Sequence, residues 1–286
     1  MRIEITIKHK IKILVKFVLR SFFSTISSTK IGIYINEVII DDIMNRVISV
    51  NHQDIQLKFS VPNFIARWRA DTFSDKEPET LEWIDKISKE SVLWDIGANV
   101  GLYSCYAAKR GVRVFAFEPS VFNLEILSRN IFLNNLTEQV TIVPLPLTDK
   151  LTFSTLNMGN TNWGGALSTF GKEYGHDGKP MDMVFKLPTI GLSMVDAVNS
   201  LNIPLPDYIK MDVDGIEHLI LKGGISILDK VKGLLVEIND NFVEQSENAN
   251  LILKEAGFSL IEKRHEDTFS FGPAKYTFNQ IWEKVA

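Results

Sequence analysis

The sequence contains a single cysteine, Cys105, among its 286 residues. A lone thiol cannot form an intrachain disulfide, so the cross-linked framework of small secreted domains is excluded and a cytoplasmic location is expected. Cys105 lies in an apolar stretch with helical spacing. We therefore expect a buried thiol that packs in the core, and not a nucleophile.

Two further absences narrow the range of partners. The formal net charge is −4, whereas surfaces that bind nucleic acid usually carry an excess of lysine and arginine to neutralise phosphates. We expect no nucleic-acid partner. His9, His52 and His265 lie in unrelated segments without other ligand-type residues at suitable spacing, so no metal site is expected.

No run of about 18 consecutive apolar residues is present, so a membrane-spanning helix is not expected. Residues 1–28 nevertheless repeat apolar residues at helical spacing and predict an amphipathic helix. This helix either lies on the inner face of the membrane, where its basic residues attract anionic lipid, or packs on protein. The apolar residues are Ile11, Leu14, Val15, Val18, Leu19, Phe22, Phe23 and Ile26, and the basic residues are Lys8, Lys10, Lys12, Lys16 and Arg20.

From about residue 72 onward, strand-like and helix-like stretches alternate. Such alternation is typical of a mainly parallel sheet covered by helices. The last two predicted strands follow one another without a long helix between them, so we expect them to form an antiparallel pair at one edge of the sheet. The predicted strands are 91–96, 112–118, 140–145, 208–212, 231–238, 258–264 and 275–282.

The chain is thus expected to have two parts. Residues 1–71 form a basic amphipathic helix and a small β appendage with a hairpin around residues 51–54, and residues 72–286 form the main domain. Within that domain, residues 157–180 are rich in glycine, asparagine and aromatic residues. Loops of this length are often functional. We expect a lid in which Trp163 and Tyr174 stack on substrate; the alternative is a mobile surface loop.

A glycine-bearing turn follows the first predicted strand of the main domain, in the sequence Asp95-Ile-Gly97-Ala-Asn99-Val-Gly101. Glycine in such a turn lets the backbone approach a ligand closely. A nicotinamide dinucleotide site would normally have a second glycine where Asn99 stands. The carboxylate of Asp95 would also disfavour a pyrophosphate, whereas it suits a cationic ligand such as a sulfonium amino acid.

Glu118 ends the next predicted strand, about 20 residues after the first glycine of the turn, which is the spacing at which an acidic side chain meets ribose hydroxyls. A solvent-facing acid at a strand end is the alternative for Glu118 alone. Together with the glycine turn, it indicates a nucleoside-binding site.

A second polar cluster, residues 210–218, follows a strand and precedes a helix, which places it at the edge of the sheet where ligands of such folds bind. It offers Asp212, Asp214 and His218 as candidate bases for removing a proton from an acceptor hydroxyl. A purely structural interpretation makes Asp214 the N-cap of that helix and Glu217 the partner in a capping box.

Other classes of function also fit parts of this cluster. Asp212-Val-Asp214-Gly215 matches the pattern of a Mg²⁺-dependent phosphohydrolase with an aspartyl nucleophile. That pattern normally continues with Thr where Ile216 stands and lies early in its domain. A calcium loop fits poorly, because the distal ligands are missing. A non-catalytic nucleotide-binding adaptor remains a third possibility.

Taken together, these motifs resemble those of the FkbM family of methyltransferases. The matching residues are the turn from Asp95 to Gly101, Phe117-Glu118-Pro119, Asn130, Asn134, and the run from Asp207 to Glu217. The resemblance covers about residues 72–282. It departs at two positions, since the family usually has Glu where Asp214 stands and Ala where Ile216 stands.

The resemblance implies a Rossmann-like class I methyltransferase: an α/β fold with a seven-stranded, mostly parallel sheet sandwiched by helices. It also implies S-adenosylmethionine as the methyl donor and a hydroxyl of a sugar, glycan or glycolipid-type molecule as the acceptor. Carried over by position, the expected cofactor contacts are Asp95, Gly97, Asn99 and Gly101 for the methionine and ribose part, Glu118 for the ribose, and residues 147–149, including Asp149, for the adenine.

Overall fold

The computed structural model of the chain describes residues 2–265 and 273–285, with side chains from residue 13 onward and without those of 273 and 274. The helices are α1 (Arg2–Ser27), α2 (Lys30–Met44), α3 (Phe64–Asp71), α4 (Pro78–Lys86), α5 (Leu102–Lys109), α6 (Val121–Leu133), α7 (Met194–Leu201), α8 (Glu217–Lys222), α9 (Ile225–Leu228) and α10 (Val243–Glu255). The strands are β1 (Val47–His52), β2 (Ile55–Ser60), β3 (Val92–Ile96), β4 (Arg113–Phe117), β5 (Val140–Val143), β6 (Thr152–Met158), β7 (Ser168–Phe170), β8 (Phe185–Gly191), β9 (Tyr208–Met211), β10 (Gly233–Asn239), β11 (Phe258–Arg264) and β12 (Thr277–Lys284).

A seven-stranded sheet with the order β11-β12-β10-β9-β3-β4-β5 forms the centre of the main unit. Strands β10, β9, β3, β4 and β5 run parallel, and β12 pairs antiparallel with both β10 and β11. The predicted α/β fold, its seven strands and the antiparallel pair at the edge are confirmed. Because the central strands are covered on both faces, most of their residues are apolar, with Asp95 and Lys210 as buried exceptions.

Alternate side chains of the central strands enter two separate cores. Trp94 and Phe117 lie in the core on one face, and their rings are 5.0 Å apart between centroids. Leu93 and Ala116 lie in the core on the other face, as the two-residue period of a strand requires. Cys105 belongs to this second core and is buried, and burial raises the pKa of its thiol to about 12. The expectation of a packed core thiol is confirmed.

The predicted hairpin is confirmed as the antiparallel pair β1–β2, whose register brings His52 opposite Ile55. Helix α3 follows the hairpin, and the side chain of Asn63 accepts a hydrogen bond from the Ala66 amide and caps that helix. The chain divides into two compact units, of which the first ends at Arg46 and the second begins at Val47. The hairpin therefore belongs with the main domain, whereas the sequence had grouped it with the N-terminal helix.

Asn130 of α6 and Asn134, the C-cap of that helix, form hydrogen bonds to the hairpin. The side chain of Asn134 accepts a hydrogen bond from the Lys58 amide at 2.9 Å. Asn130 accepts one from the Ser60 amide at 2.8 Å and donates one to the Val100 carbonyl at 2.7 Å. Asn130 therefore connects the hairpin to the glycine turn after β3.

Residues 157–180 are not one long loop. They include the end of β6 and all of β7, and they end before β8. The three strands form a separate antiparallel sheet with the order β7-β6-β8. Sequence reasoning missed β6, β7 and β8. Strand β7 has only three residues, and β6 and β8 mix polar with apolar residues, so none of the three has the apolar run that identifies the central strands.

The first compact unit contains α1 and α2, and many of its large apolar side chains are exposed. Phe17 is 69% exposed and Ile31 is 74% exposed. The predicted helix over residues 1–28 is confirmed as a helix. Among the described residues, no helix is both long enough and apolar enough to cross a bilayer.

The lipid-surface hypothesis for this unit stays a prediction, and reversing two charges tests it. In the double variant Lys16→Glu, Arg20→Glu, we expect binding to anionic vesicles to fall about tenfold or more, since each basic residue near such a surface contributes about 1 kcal/mol. Flotation of both proteins with anionic and with neutral vesicles measures this effect. Equal flotation of both proteins would favour packing on protein instead.

Candidate functional site

A cavity of about 550 Å³, including its open mouth, lies at the carboxyl ends of β3, β4 and β9. We call it the first cavity. Its polar lining comes from Asn99, Glu118, Asp212 and Asp214. Its apolar lining comes from Phe117, Leu145, Leu147, Leu156, Phe170 and Ile216. Ligands of open α/β sheets bind at this edge.

The glycine turn after β3 forms one wall of the first cavity. Gly97 has φ +83°, and a Cβ atom on it would lie 1.8 Å from the Asp212 carbonyl oxygen. Gly101 is the N-cap of α5 with φ +76°, and a Cβ there would lie 2.2 Å from Leu127 Cδ1. Gly97 therefore allows close contact between the ends of two strands, whereas Gly101 allows helix packing and does not line the cavity.

Asn99 connects this turn to residues 157–180, which we call the insertion. Its backbone is left-handed, with φ 51°, and its Nδ2 donates a hydrogen bond to the Gly165 carbonyl at 2.8 Å. Its Oδ1 is buried and has no hydrogen-bond partner among the described residues. A buried acceptor without a partner in the lining of a cavity is suited to a ligand donor.

Asp95 lies beneath the turn and does not line the first cavity. Its Oδ2 accepts a hydrogen bond from Ser104 Oγ at 2.5 Å. Its Oδ1 lies 3.6 Å from Lys210 Nζ, and no partner within hydrogen-bond distance is found for it in the described part of the chain. Asp95 therefore acts on the site through Lys210.

Lys210 is the functional residue to which sequence reasoning gave no role. Its buried ammonium also lies 3.8 Å from Asp212 Oδ2. Burial alone would lower the pKa of Lys210, but the carboxylates of Asp95 and Asp212 outweigh it and raise the pKa above its usual value. Lys210 therefore stays protonated, and its ammonium lies between the carboxylates of Asp95 and Asp212. The signal that could have identified Lys210 as a functional residue is its place in a buried strand, between two carboxylates.

Glu118 is buried at the end of β4, and both of its carboxylate oxygens face backbone amides. Oε2 accepts a hydrogen bond from Asn99 N at 2.8 Å, and Oε1 accepts one from Ser120 N at 2.7 Å. Burial outweighs these bonds and raises the pKa of Glu118 to about 7. The two amides fix the carboxylate in the cavity, with lone pairs left for hydroxyl donors.

Asp214 lines the cavity and also holds the insertion against it. It adopts a left-handed backbone with φ 60°, and its Oδ2 accepts a hydrogen bond from Ser168 N at 2.9 Å. Burial, and then the charge of Asp212, raise the pKa of Asp214. Asp214 thus forms part of the attachment of β7 to the loop after β9.

The capping-box interpretation of this loop is wrong. Helix α8 begins at Glu217 with Ile216 at its N-cap. The Glu217 carboxylate instead accepts hydrogen bonds from the Val213 and Gly215 amides at 3.1 and 3.3 Å and from the Gln245 side chain. Burial raises the pKa of Glu217 to about 7. This carboxylate therefore holds the shape of the loop that carries Asp212.

His218 does not line the cavity, which corrects its assignment as a candidate base. The ring lies on the side of α8 that faces α10, edge-on to Phe242 at 6.0 Å between centroids. Its nearest carboxylate is that of Glu244, at 3.9 Å. Burial lowers the pKa of His218, which makes it a neutral packing residue.

Three other expected contacts also lie outside the cavity lining. The ring of Tyr174 packs edge-on against Phe242 at 5.2 Å, and Trp163 packs against a hydrophobic core. Asp149 lies 4.0 Å from Lys222 on the surface. Other residues line the first cavity instead. The insertion contributes Gly165, Ala166, Ser168 and Phe170, and Leu147 lines the cavity where Asp149 was expected.

The sequence matches the Methyltransferase FkbM domain over residues 95–260, which is more than half of the chain. The chain belongs to the FkbM methyltransferase family. The enzyme is therefore a methyltransferase, and this assignment replaces the phosphohydrolase and adaptor alternatives. No group of three or more metal-ligand side chains in the described ranges is arranged to hold a metal ion.

Individual relatives of this FkbM methyltransferase are more distant. The hexuronic acid methyltransferase AglP of Haloferax volcanii is 26% identical over 188 residues, which cover 64% of this chain and 70% of that protein. The crystal structure of methyltransferase FkbM from Methylobacillus flagellatus is similar over 69% of this chain, with 17% identity and a TM-score of 0.47. The present chain spans 44% of the length of that structure. Trm5b from Pyrococcus abyssi is similar over 83% of this chain and 55% of its own, with 17% identity and a TM-score of 0.45.

This FkbM methyltransferase has a second cavity, of about 460 Å³, on the other side of the glycine turn. The two cavities share Gly97, Asn99 and Asp212 as lining residues. Most of the remaining lining of the second cavity comes from α3, the start of α5 and the connection before α4. The methyltransferase domain therefore contains two adjoining cavities that meet at Asp212.

Gly97→Ala tests whether the close approach of the two strand ends is required. We expect this variant to lower the free energy of unfolding by about 3 kcal/mol or more, because the new methyl group meets backbone and not a flexible side chain. Gly111→Ala is the matched control, since Gly111 has φ +92° but its Cβ would meet nothing closer than 3.5 Å. It should cost only the backbone strain of about 1–2 kcal/mol. Equal losses in urea unfolding would contradict the contact.

Glu118→Gln tests the cost of burying this carboxylate. The pKa of Glu118 rises from 4.5 to about 7 on folding, so the folded state holds the proton more tightly, and stability falls as pH rises through this window. Between about pH 5 and about pH 7.5 the wild type should lose roughly 2 kcal/mol more than the variant. Glu217, whose pKa is also raised, is present in both proteins and adds the same pH dependence of stability to each. Identical pH profiles in denaturant unfolding would show that Glu118 titrates normally.

Proposed function

We propose that the enzyme transfers a methyl group from S-adenosylmethionine to a hydroxyl of a sugar, glycan or glycolipid-type acceptor, with the nucleoside of the donor in the first cavity. The observation that carries this proposal is the position of the Glu118 carboxylate. It is held by two backbone amides beside the close-packed turn at Gly97, in one cavity with an apolar wall.

The lining of the first cavity fits such a nucleoside. The Glu118 carboxylate offers lone pairs to a ribose diol, and Asn99 Oδ1 is a buried acceptor without a partner among the described residues. The adenine ring would lie between apolar side chains such as Phe117 and Leu147. The close approach of Gly97 to the Asp212 carbonyl holds these residues around one cavity.

The electrostatics at the junction of the cavities suit a positively charged donor. S-adenosylmethionine supplies a methyl group on a cationic sulfur, which makes it an electrophile. Asp212 presents a carboxylate there with 34% of its side chain exposed. Lys210 holds that carboxylate in place and stays buried, so the negative charge of Asp212 faces the junction.

Asp212 is the proposed base for the acceptor hydroxyl. As the hydroxyl oxygen bonds to the methyl carbon, its proton passes to the Asp212 carboxylate and the carbon–sulfur bond breaks with its electrons going to sulfur. Much of the acceleration comes from holding donor and acceptor in line at the junction. Asp214 is occupied by the Ser168 amide and contributes to the shape of the site.

The acceptor class rests on less direct support. AglP, which matches 64% of this chain, is named as a methyltransferase of a hexuronic acid, a sugar. Sugars are polar, and the second cavity has charged and hydrogen-bonding side chains along with aromatic ones. Such a lining suits a sugar better than an apolar acceptor.

Two substitutions separate donor binding from methyl transfer. Glu118→Ala should weaken binding of S-adenosylhomocysteine about tenfold or more, since a charge-assisted contact to the ribose is lost. Asp212→Asn should keep that affinity within a few-fold and lower turnover about 100-fold or more, because the base is lost. Calorimetry measures the first effect, and transfer of labelled methyl groups to fractionated glycans measures the second.

Glu125→Ala is the matched control for both measurements, because Glu125 lies on the exposed side of α6 and pairs with Arg129 at 3.0 Å. It should behave as the wild type. If Glu118→Ala binds S-adenosylhomocysteine as tightly as Glu125→Ala does, the nucleoside lies elsewhere. If Asp212→Asn retains wild-type turnover, Asp212 is not the base.

A further inference from the structure

The second cavity contains more cationic side chains than the reaction described above uses. Arg69, Lys76 and Lys210 line it together with two acids, Glu77 and Asp212. Arg69 lies on α3 and Lys76 follows that helix, so both precede the matched methyltransferase region, residues 95–260. Sequence motifs of the family therefore do not identify these two cations.

Two of the three cations have carboxylate partners within the protein. Lys210 lies between Asp95 and Asp212. Lys76 forms an ion pair with Glu77. Burial would raise the pKa of Glu77, but the charges of Lys76 and Lys210 lower it to about 2. Lys76 and Lys210 are therefore both paired with carboxylates of the protein.

Arg69 is different, because its guanidinium has no ion pair among the described residues. Its Nε donates a hydrogen bond to the Gly164 carbonyl at 2.7 Å, and the residue is half-buried. A guanidinium has five N–H donors in one plane. The bond from Nε fixes this plane, and four donors remain at the edge of the cavity.

Arg69 and Lys76 also lie close enough to repel one another. The charge of Arg69 opposes protonation of Lys76, although Glu77 more than compensates and the pKa of Lys76 is raised overall. Because Lys76 is paired with Glu77, the guanidinium of Arg69 is the cation of this lining that has no ion pair among the described residues. The acids Glu77 and Asp212 in the same lining would repel a doubly charged phosphate more than a singly charged group. A singly charged carboxylate therefore suits Arg69 and this lining better than a phosphate does.

We infer that the second cavity is a carboxylate-binding site, in which the fixed guanidinium of Arg69, assisted by Lys76, holds an organic carboxylate beside Asp212. The inference rests on the proposed function. In the proposed reaction the carboxylate has two possible sources: the amino-acid end of the methyl donor, or the acid group of an acidic sugar acceptor. Either source places the reacting groups next to Asp212, where the two cavities meet.

Arg69→Gln in the full chain tests this site by binding measurements. The glutamine keeps a donor for the Gly164 carbonyl but removes the charge and the fork of donors. If the donor supplies the carboxylate, affinity for S-adenosylhomocysteine should fall about tenfold or more, while affinity for 5′-methylthioadenosine, which lacks the amino acid, should not change. If the acceptor supplies it, the enzyme saturated with S-adenosylhomocysteine should lose about tenfold in affinity for glucuronate and nothing for glucose.

Arg67→Gln is the matched control on the same helix. Arg67 is exposed and pairs with Asp71 at 2.8 Å, so this variant should bind every probe as the wild type does. The inference is overturned if Arg69→Gln and Arg67→Gln bind both carboxylate probes with the same affinity. It is also overturned if Arg69→Gln weakens the binding of 5′-methylthioadenosine as much as the binding of S-adenosylhomocysteine. Failure of the wild type to bind either nucleoside would instead contradict the proposed function.

Discussion

The backbone of Gly97 lies against the carbonyl of Asp212, and the arrangement of the site depends on this contact. It joins the ends of β3 and β9, two neighbouring strands of the sheet. With no side chain at Gly97, the turn can continue to Asn99, whose amide donates to Glu118 at the end of the next strand. One close approach thus brings together three strand ends and defines the first cavity.

Buried charge is the second constraint. Lys210 would be costly to bury alone, but Asp95 and Asp212 on either side balance its charge. The same arrangement leaves one carboxylate, that of Asp212, partly exposed where the two cavities meet. Arg69 of α3 and residues between α3 and α4 then form part of the lining of the second cavity. Residues upstream of the family's own motifs therefore contribute to the site.

The sequence predicted those features that depend on local pattern. Buried strands appear as continuous apolar runs, and the turn from Asp95 to Gly101 and Glu118 follow fixed spacings, so the sheet and one wall of the cavity were foreseeable. The positions of His218 and Tyr174 were not, because both rings pack against Phe242, which is remote from them in sequence. The strands β6, β7 and β8 were missed because β7 is short and β6 and β8 mix polar with apolar residues, so none has a strong apolar pattern.

The central claim is that a nucleoside occupies the space between the turn at Gly97 and the carboxylate of Glu118. A crystal structure of the enzyme with S-adenosylhomocysteine tests it most directly. The account predicts ribose hydroxyls within hydrogen-bond distance of Glu118 and the sulfur near Asp212. A nucleoside bound elsewhere, or a first cavity filled by protein side chains in the complex, would contradict it.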